Sequence, residues 1–262
     1  MRDLLSDEAR PAIDRVARER MLLAFDFDGT LAPLVEDRAA ARMRDSTRRL
    51  LRLATLLYPC AVISGRARSD LFDRVASIPL VAIVGNHGAE AGHGPVDRSV
   101  RASVAGWRRA AGAMLRGVEG IELEDKGLSL AIHYRRAAAR DAAERTALEA
   151  ARALRGARVF GGHAVVNVVP RGEHDKGEAL SRLVSRLGTS GALYVGDDAT
   201  DEDAFRSAAA GVSVRVGHEN ASAASHFVAS QAHVDELLRA LVRARGRLHG
   251  LCGDADRLAQ IV

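Results

Sequence analysis

The chain has 262 residues, of which 47% are hydrophobic and 27% charged, and its formal net charge is +4. These values are typical of a soluble globular protein with one large domain or two small ones, and they exclude a disordered chain. No apolar run approaches the roughly 20 residues of a membrane span, and the first residues lack the apolar core of a signal peptide. Two cysteines, Cys60 and Cys252, are too few for a disulfide framework or a zinc site, so we expect a cytoplasmic protein without a membrane partner.

The positive charge comes almost entirely from arginines that are interspersed with acidic residues. No block of basic residues forms the footprint of nucleic-acid binding, and only three Tyr and one Trp are available for base stacking. We therefore expect no nucleic-acid partner. Lysine occurs only at Lys126 and Lys176. Because arginine is a planar fork and lysine a compact point charge, these two positions are candidates for sites that need the ammonium group.

Short apolar strands alternate with amphipathic helices along the first 90 residues. The predicted elements are a helix over 3–20, a strand over 21–25, a helix over 45–57, a strand over 60–63, a helix over 68–76 and a strand over 80–84. Apolar runs without alternation are typical of strands buried on both faces, and the repetition of strand, polar loop and helix predicts parallel βαβ units.

The pattern changes after residue 92 and returns near residue 174. The changed segment is predicted to contain a helix over 97–116, a hairpin over 121–124 and 128–134, a helix over 137–154 and a hairpin over 159–160 and 164–168. The returning pattern predicts a helix over 176–187, strands over 192–195, 212–216 and 227–228, and helices over 201–209 and 233–246. We predict an α/β core over 1–92 and 171–262 with a parallel sheet, and an inserted α+β unit over 93–170.

Paired acidic residues follow two of the predicted core strands. Asp26 and Asp28 come directly after the first of them, and Asp197 follows a strand near the far end of the chain. Ligands of open parallel sheets bind at the carboxyl ends of the strands, so we expect these carboxylates to meet there. Carboxylates beside an anionic ligand require a cation, and Mg²⁺ is the oxygen-liganded choice. The alternative is a loop that caps a helix, but two acids after a buried strand are costly without a partner.

The motifs in these loops resemble those of the haloacid dehalogenase superfamily of phosphatases. Asp26-x-Asp28-x-Thr30 is similar to its nucleophile motif, Ser64 to its second motif, Lys176 to its third and Gly196-Asp197-Asp198-x-x-Asp201 to its fourth. The resemblance covers about two thirds of the chain, with all four motifs in order. It implies a Rossmann-like haloacid-dehalogenase core, and it implies that the inserted α+β unit is a cap domain.

Three further segments resemble the trehalose-6-phosphate phosphatases within that superfamily. They are Gly85 to Glu90, Glu124 to Leu130 with His133-Tyr134-Arg135, and Gly196 to Phe205. Lys126 falls inside the second of these segments, and Lys176 is the residue that is similar to the third superfamily motif. This resemblance implies a Mg²⁺-dependent phosphatase that hydrolyses trehalose 6-phosphate, with a functional link to a trehalose-6-phosphate synthase.

The resemblance also assigns roles to the motif residues. Asp26 is implied as the nucleophile that forms an aspartyl-phosphate, and Asp28 as the general acid and base. Ser64 and Lys176 are implied to bind the phosphoryl oxygens, and Thr30 to position Asp28 or the phosphate. The implied metal site consists of Asp26, Asp28, Asp197 and Asp198. Taken alone, Ser64 also suits a helix N-cap, and Asp201 suits the first turn of a helix.

Substrate contacts are expected from both the core loops and the cap. The implied substrate-binding residues are Gly65, Arg66, Asn86, His87, Glu124, Lys126, Asn167 and Asp201. Asn167 departs from the family, which usually has a glutamate at this point of the strand, and this places the identity of the sugar in question. A surface ion pair between Glu124 and Lys126, and a structural role for His87, remain open alternatives. His133 is expected to face solvent.

Other functions remain open on the same fold. Phosphatases for sucrose 6-phosphate or mannosyl-3-phosphoglycerate share most of these features, and so does a phosphotransferase or phosphomutase. A non-catalytic regulatory domain is expected to lose Asp26, Asp28 or Lys176, and all three are present.

Overall fold

The computed structural model describes residues 1–90, 98–162, 164–171 and 175–250. The strands are β1 (Arg2–Asp3), β2 (Met21–Phe25), β3 (Cys60–Ile63), β4 (Ala82–Val84), β5 (Glu122–Asp125), β6 (Leu130–His133), β7 (Ala157–Gly162), β8 (Val165–Pro170), β9 (Gly191–Gly196), β10 (Ala210–Val216) and β11 (His226–Val228). The helices are α1 (Arg10–Arg18), α2 (Asp45–Thr55), α3 (Arg68–Arg74), α4 (Arg98–Met114), α5 (Arg140–Arg152), α6 (Lys176–Leu187), α7 (Asp201–Arg206) and α8 (His233–Leu248).

Seven of the described strands form a parallel sheet in the order β1-β11-β10-β9-β2-β3-β4, here called the core sheet. Every residue of β2 is buried, because the strand lies at the centre of the sheet with helices on both faces. Leu23 and Phe25 pack with residues of α1, α2 and α8, whereas Leu22 and Ala24 pack with residues of α6 and α7. This burial on both faces explains the continuous apolar run and confirms the predicted parallel sheet.

The second sheet is antiparallel, has the order β5-β6-β8-β7, and is here called the cap sheet. Its four strands comprise both predicted hairpins, which β6 and β8 join by pairing with each other. Helices α4 and α5 cover one face, where Trp107 and Ala147 share an apolar cluster with Ile132 and Val168. Hairpin periodicity predicted each strand pair, but the pairing between hairpins depends on packing against the helices.

The N-terminal helix is shorter than predicted. Arg2 and Asp3 form the edge strand β1 beside β11, and α1 begins only at Arg10, with Pro11 in its first turn. Proline lacks the N–H that an interior helical position donates, so it favours this first turn over the middle of a helix. The expectation of a helix from residue 3 was therefore wrong.

The predicted division into core and cap stays a prediction. Its boundary between residues 92 and 93 lies outside the described residues, although β5 to β8 all fall within the predicted 93–170 insert. Within the described residues, no helix combines the length and apolar character needed to cross a bilayer.

Candidate active site

A cavity of about 550 Å³ lies between the carboxyl ends of the central core strands and the cap sheet. This volume is within the usual range for small-molecule sites. The sequence-predicted residues that line it are Asp26, Asp28, Ser64, Gly65, Arg66, His87, Glu124, Lys126, Asn167, Lys176, Asp197 and Asp198. Thr30, Asn86 and Asp201 lie outside the lining.

Asp26 stands at the end of β2 and forms an ion pair with Lys176. Its Oδ2 lies 2.9 Å from the Lys176 Nζ, and its Oδ1 accepts a hydrogen bond from the Phe27 backbone N–H at 2.6 Å. Burial raises the pKa of Asp26 to about 8; Lys176 opposes the rise, and the charges of Asp201 and Asp198 add to it. A carboxylate in this position therefore needs further positive charge to stay ionised.

Asp197 approaches the same point from the loop after β9. Ligand atoms of Asp26, Asp197 and Asp201 lie within 4.8 Å of one another. Gly29 makes this approach possible, because its φ is +76° and a Cβ there would lie 2.0 Å from Asp197 Oδ2. Burial raises the pKa of Asp197 well above its ordinary value, and the negative charges of Asp26, Asp201 and Asp198 add to the rise.

Asp201 is the innermost member of this acidic cluster and is completely buried. Its Oδ1 accepts hydrogen bonds from the Lys176 Nζ at 2.7 Å and the Tyr194 hydroxyl at 2.6 Å. Its Oδ2 accepts from the backbone N–H groups of Asp197 and Asp198 at 2.9 and 3.0 Å. The expectation that Asp201 binds substrate is corrected: four protein donors occupy it, and it fixes Lys176 and the loop after β9.

Two of the predicted metal ligands do not join the cluster through their side chains. Asp198 Oδ1 accepts from the Thr200 N–H and hydroxyl at 2.7 and 2.6 Å, which fixes the start of α7. The Asp28 carboxylate is held by an arginine, as described next. The side chains that remain suited to a cation are therefore those of Asp26 and Asp197, and their hard oxygen atoms fit Mg²⁺.

Arg66 holds Asp28 in a two-point ion pair. Its Nε and Nη2 donate to the two Asp28 carboxylate oxygens, each at 2.6 Å, and its Nη1 donates to Asp70 at 2.8 Å. Arg66 is 2% exposed, whereas the Asp28 side chain keeps 28% of its surface exposed toward the cavity. We expected Arg66 to bind substrate; in the structure its guanidinium is committed to orienting Asp28.

Thr30 and Ser64 differ in where they lie. The Thr30 hydroxyl donates to Asp197 Oδ1 at 3.1 Å, so it orients Asp197 rather than Asp28 or a phosphate. Ser64 follows β3, is 1% exposed and lines the cavity. It does not cap a helix, because the N-cap of α3 is Ala67.

On the cap side, Lys126 reaches into the core. Its Nζ donates to the backbone carbonyl of Gly65 at 3.0 Å. Burial, together with the charge of Arg38, lowers the pKa of Lys126 to about 7, although Glu124 and Asp28 oppose the fall. Lys126 lies in the turn after β5, and among the described residues Glu124 forms its ion pair with Arg38 and not with Lys126.

Glu124 faces the cavity from β5 with two partners. Its Oε2 lies 2.9 Å from Arg38 Nη1 and 2.8 Å from His133 Nε2. Burial would raise its pKa, but the His133 hydrogen bond and the charges of Lys126 and Arg38 lower it to about 2. The expectation that His133 faces solvent was wrong, because its ring is 25% exposed and hydrogen bonded to Glu124.

Asn86 connects the core to the cap and does not face the cavity. Its Nδ2 donates to the Lys126 carbonyl at 3.2 Å, and its Oδ1 accepts from the Ser129 hydroxyl at 2.7 Å. The expectation that Asn86 binds substrate is therefore corrected to a structural role at the β5–β6 turn. Asn167, on β8 between Ala131 and Phe160, is 6% exposed and does line the cavity.

His87 is buried at the cavity wall. Neither ring nitrogen has a hydrogen-bond partner among the described residues, and the ring packs edge-on against Phe160 at 5.1 Å between centroids. Burial and the neighbouring charge of Lys126 lower its pKa well below the ordinary value, so the ring is neutral. Buried polar groups without partners are rare in proteins and indicate a place where a ligand or water binds.

Sequence reasoning missed Arg38 as a member of this site. It lies in the long loop between β2 and α2, where no periodicity marks individual residues. The length of that loop, next to the acidic motif, was the only available signal.

Comparisons with known proteins identify the family of this chain. A family model described as trehalose-phosphatase matches residues 24–240. The chain belongs to the trehalose-phosphatase family. The trehalose-phosphate phosphatase of Mycobacterium avium is 36% identical over 206 residues, which are 73% of this chain and 52% of that protein. The chain thus spans about half the length of that relative.

Two solved structures show the same fold as this trehalose-phosphatase family member. The C-terminal domain of the C. albicans trehalose-6-phosphate phosphatase has a TM-score of 0.77 at 24% identity, covering 89% of this chain and 96% of that one. The C-terminal domain of the Candida albicans trehalose synthase regulatory protein has a TM-score of 0.66 at 13% identity, covering 89% and 97%. The predicted fold class, an α/β unit with a parallel sheet and an α+β unit beside it, is confirmed.

Proposed function

We propose that this chain hydrolyses trehalose 6-phosphate to trehalose and inorganic phosphate, with Mg²⁺ as its cofactor. The observation that carries the proposal is the Asp26 carboxylate, paired with Lys176 at 2.9 Å and facing a cavity that a cap sheet covers. The family match and the name of the Mycobacterium avium relative support the choice of substrate.

The nucleophile and the acid–base residue are adjacent in the loop after β2. An oxygen of Asp26 attacks phosphorus, and the bond from phosphorus to the sugar oxygen breaks. Asp28 donates a proton to that departing oxygen, then accepts one from the water that hydrolyses the aspartyl-phosphate. Both Asp28 oxygens accept hydrogen bonds from Arg66 in this structure, so carrying the proton requires one of those bonds to be released.

The negative charge of the phosphoryl group is assigned to hydrogen-bond donors of this chain and to the metal. Lys176 and Ser64 line the cavity beside Asp26 and are assigned to the phosphoryl oxygens. Asp26, Asp197 and the Asp28 backbone carbonyl are assigned to Mg²⁺, which when bound offsets the negative charge of nucleophile and phosphate. Asp201 holds Lys176 in place, and Thr30 holds Asp197 in place.

The sugar is assigned to the cap side of the cavity. Glu124, Lys126 and Asn167 offer a carboxylate, an ammonium and an amide to sugar hydroxyls. His87, whose ring nitrogens lack partners among the described residues, is assigned to the same substrate, next to Gly65. The sucrose 6-phosphate and mannosyl-3-phosphoglycerate alternatives differ from trehalose 6-phosphate in these contacts and not in the core chemistry.

A regulatory role on the same fold is disfavoured by the residues in place. A structural relative named as a trehalose synthase regulatory protein shares the fold at 13% identity. In this chain Asp26, Asp28 and Lys176 are all present and all line one cavity. We propose a functional link to a trehalose-6-phosphate synthase in the cytoplasm, since such an enzyme makes the substrate assigned here.

The test is phosphate release from trehalose 6-phosphate by the wild type and by Asp26→Asn. We expect turnover with Mg²⁺, none in chelator, and at least a 1,000-fold loss in the variant with an unchanged circular dichroism spectrum, because the nucleophile is gone. Near-normal turnover by the variant, or full activity in chelator, would contradict the assigned nucleophile or metal.

A further inference from the structure

The loop between β2 and α2 crosses from the core to the cap. Residues 34–39, here called the 34–39 loop, line the cavity from the core side. Arg38 Nη1 in this loop lies 2.9 Å from Glu124 Oε2 in the cap, and Arg135 of the cap donates to the Val35 carbonyl at 2.9 Å. The loop is therefore fastened to the cap beside the sugar side of the cavity.

Glu124 is held from both directions by these contacts. Arg38 approaches its Oε2 from the core, and His133 approaches the same oxygen from β6 at 2.8 Å. Because a carboxylate has a second oxygen with its own lone pairs, Oε1 can accept a sugar hydroxyl while both partners stay in place. With one oxygen fixed by two donors, the direction in which the other faces the cavity is also fixed.

Arg38 also connects this carboxylate to the chemical centre. Its backbone carbonyl accepts a hydrogen bond from Arg66 Nη2 at 2.9 Å, and Arg66 holds both oxygens of Asp28. The chain of contacts runs from Asp28 through Arg66 and Arg38 to Glu124. The side chain of Arg38 thus bridges core and cap, while its backbone rests on the arginine that orients the acid–base residue.

We propose that Arg38 is a positioning residue for sugar recognition, which fixes Glu124 across the seam between core and cap. The inference rests on the proposed function, because it requires Glu124 to bind the sugar. The ion pair is partly exposed, with side chains 31% and 40% accessible, so its contribution to folding stability is small. Its effect belongs to substrate binding, where a misdirected carboxylate loses a charge-assisted hydrogen bond.

The test compares trehalose 6-phosphate with 4-nitrophenyl phosphate, which has no sugar to reach Glu124. We expect Arg38→Ala to lower kcat/KM for trehalose 6-phosphate about tenfold, mainly through KM, in line with one hydrogen bond to a charged group. For the aryl phosphate we expect less than a twofold change. Arg38→Lys should recover part of the loss, because the ammonium can still reach Glu124.

A control is Arg10→Ala, which breaks an exposed ion pair away from the cavity lining. Arg10 Nε lies 3.4 Å from Asp14 Oδ1, and both residues belong to α1. Removing this pair should leave kcat/KM for both substrates within about twofold of the wild-type value. A second control is the Glu124→Gln background, in which adding Arg38→Ala should cost less than twofold, since the two residues act as a unit.

Equal losses of Arg38→Ala on both substrates, or no loss on either, would overturn the positioning role. A full tenfold further loss in the Glu124→Gln background would also overturn it, because Arg38 would then act independently of Glu124. These results differ from a failure of the proposed function, in which the wild type hydrolyses the aryl phosphate and not trehalose 6-phosphate. That outcome would reject both the proposed function and the inference.

Discussion

Lys126 occupies a buried position where the cap meets the core. The residue is 8% exposed, and its ammonium donates to the Gly65 carbonyl in a place where burial and Arg38 both disfavour the charge. The same burial that makes the charge costly leaves it poorly screened, which strengthens its interaction with an anionic or hydroxylated ligand.

The lowered pKa of Lys126 predicts a pH-dependent stability with a definite sign. Between about pH 7 and 10.5 the unfolded chain keeps a proton that folded Lys126 has released, so unfolding becomes less favourable as pH rises through this window. Lys126→Met should remove this rise. In urea unfolding at pH 6 and pH 9, we expect the free energy of unfolding of the wild type to gain on the order of 2 kcal/mol relative to the variant.

The same titration should act on substrate binding in the opposite direction. Since the Lys126 ammonium loses its proton as pH rises through about 7, KM for trehalose 6-phosphate should rise more steeply with pH in the wild type than in Lys126→Met. Parallel pH profiles for the two proteins, in stability and in KM, would contradict the assigned titration.

The positions of individual site residues were predictable where they depend on local order. Asp26, Lys176 and Asp197 were found because each follows or begins a recognisable strand or helix. The pair between Arg66 and Asp28 was not, because the two residues are 38 positions apart and meet only through the pairing of β2 with β3. The contact between Arg38 and Glu124 was not predictable either, because the two residues are 86 positions apart and join a loop of the core to a strand of the cap sheet.

At the level of elements, the loop after β2 is shaped by one glycine. Gly29 has a positive φ of +76°, and its missing Cβ leaves room for the Asp197 carboxylate. A methyl group there meets Asp197 Oδ2 at 2.0 Å, so either the β2 loop or the β9 loop must move. The two carboxylates assigned to Mg²⁺ would then separate.

We expect Gly29→Ala to weaken Mg²⁺ binding and to lower kcat by about 10- to 100-fold, in line with the loss of a positioned metal ligand. Titration calorimetry with Mg²⁺ and turnover at saturating Mg²⁺ measure the two effects. Gly217→Ala is the matched control, since Gly217 also has a positive φ of +83° but open space around its missing Cβ. If both variants lose the same activity, backbone strain alone explains the loss and the close approach of Asp197 is not required.

Strands and helices that end at polar loops were the most predictable part of the fold. The range predicted for β2 and that predicted for α6 match the structure at both ends, because a continuous apolar run and an amphipathic run each end at polar loops. The first helix was misjudged at its start, where β1 instead pairs with β11 at the opposite end of the sequence. Pairing of this kind depends on the completed sheet, and no local pattern in two residues reveals it.

In the whole molecule, the core sheet supplies the residues assigned to the chemistry, and the cap sheet faces them across the cavity. The acidic cluster, Lys176 and Ser64 come from the core, whereas Glu124, Lys126 and Asn167 come from the cap. The cap hairpins were predictable as separate units, but their joining through β6 and β8 and their placement over the core were not. The cap side of the cavity, to which the sugar is assigned, is therefore the part of the site that most needed the structure.

The division of labour between core and cap predicts strong discrimination among sugar phosphates. The most direct test is phosphate release, with Mg²⁺, from trehalose 6-phosphate, sucrose 6-phosphate and glucose 6-phosphate, measured as kcat/KM. We predict a preference of at least about 100-fold for trehalose 6-phosphate over the other two, equivalent to two or more hydrogen bonds from the cap. Similar kcat/KM values for all three substrates, or no phosphate release from any of them, would contradict the account.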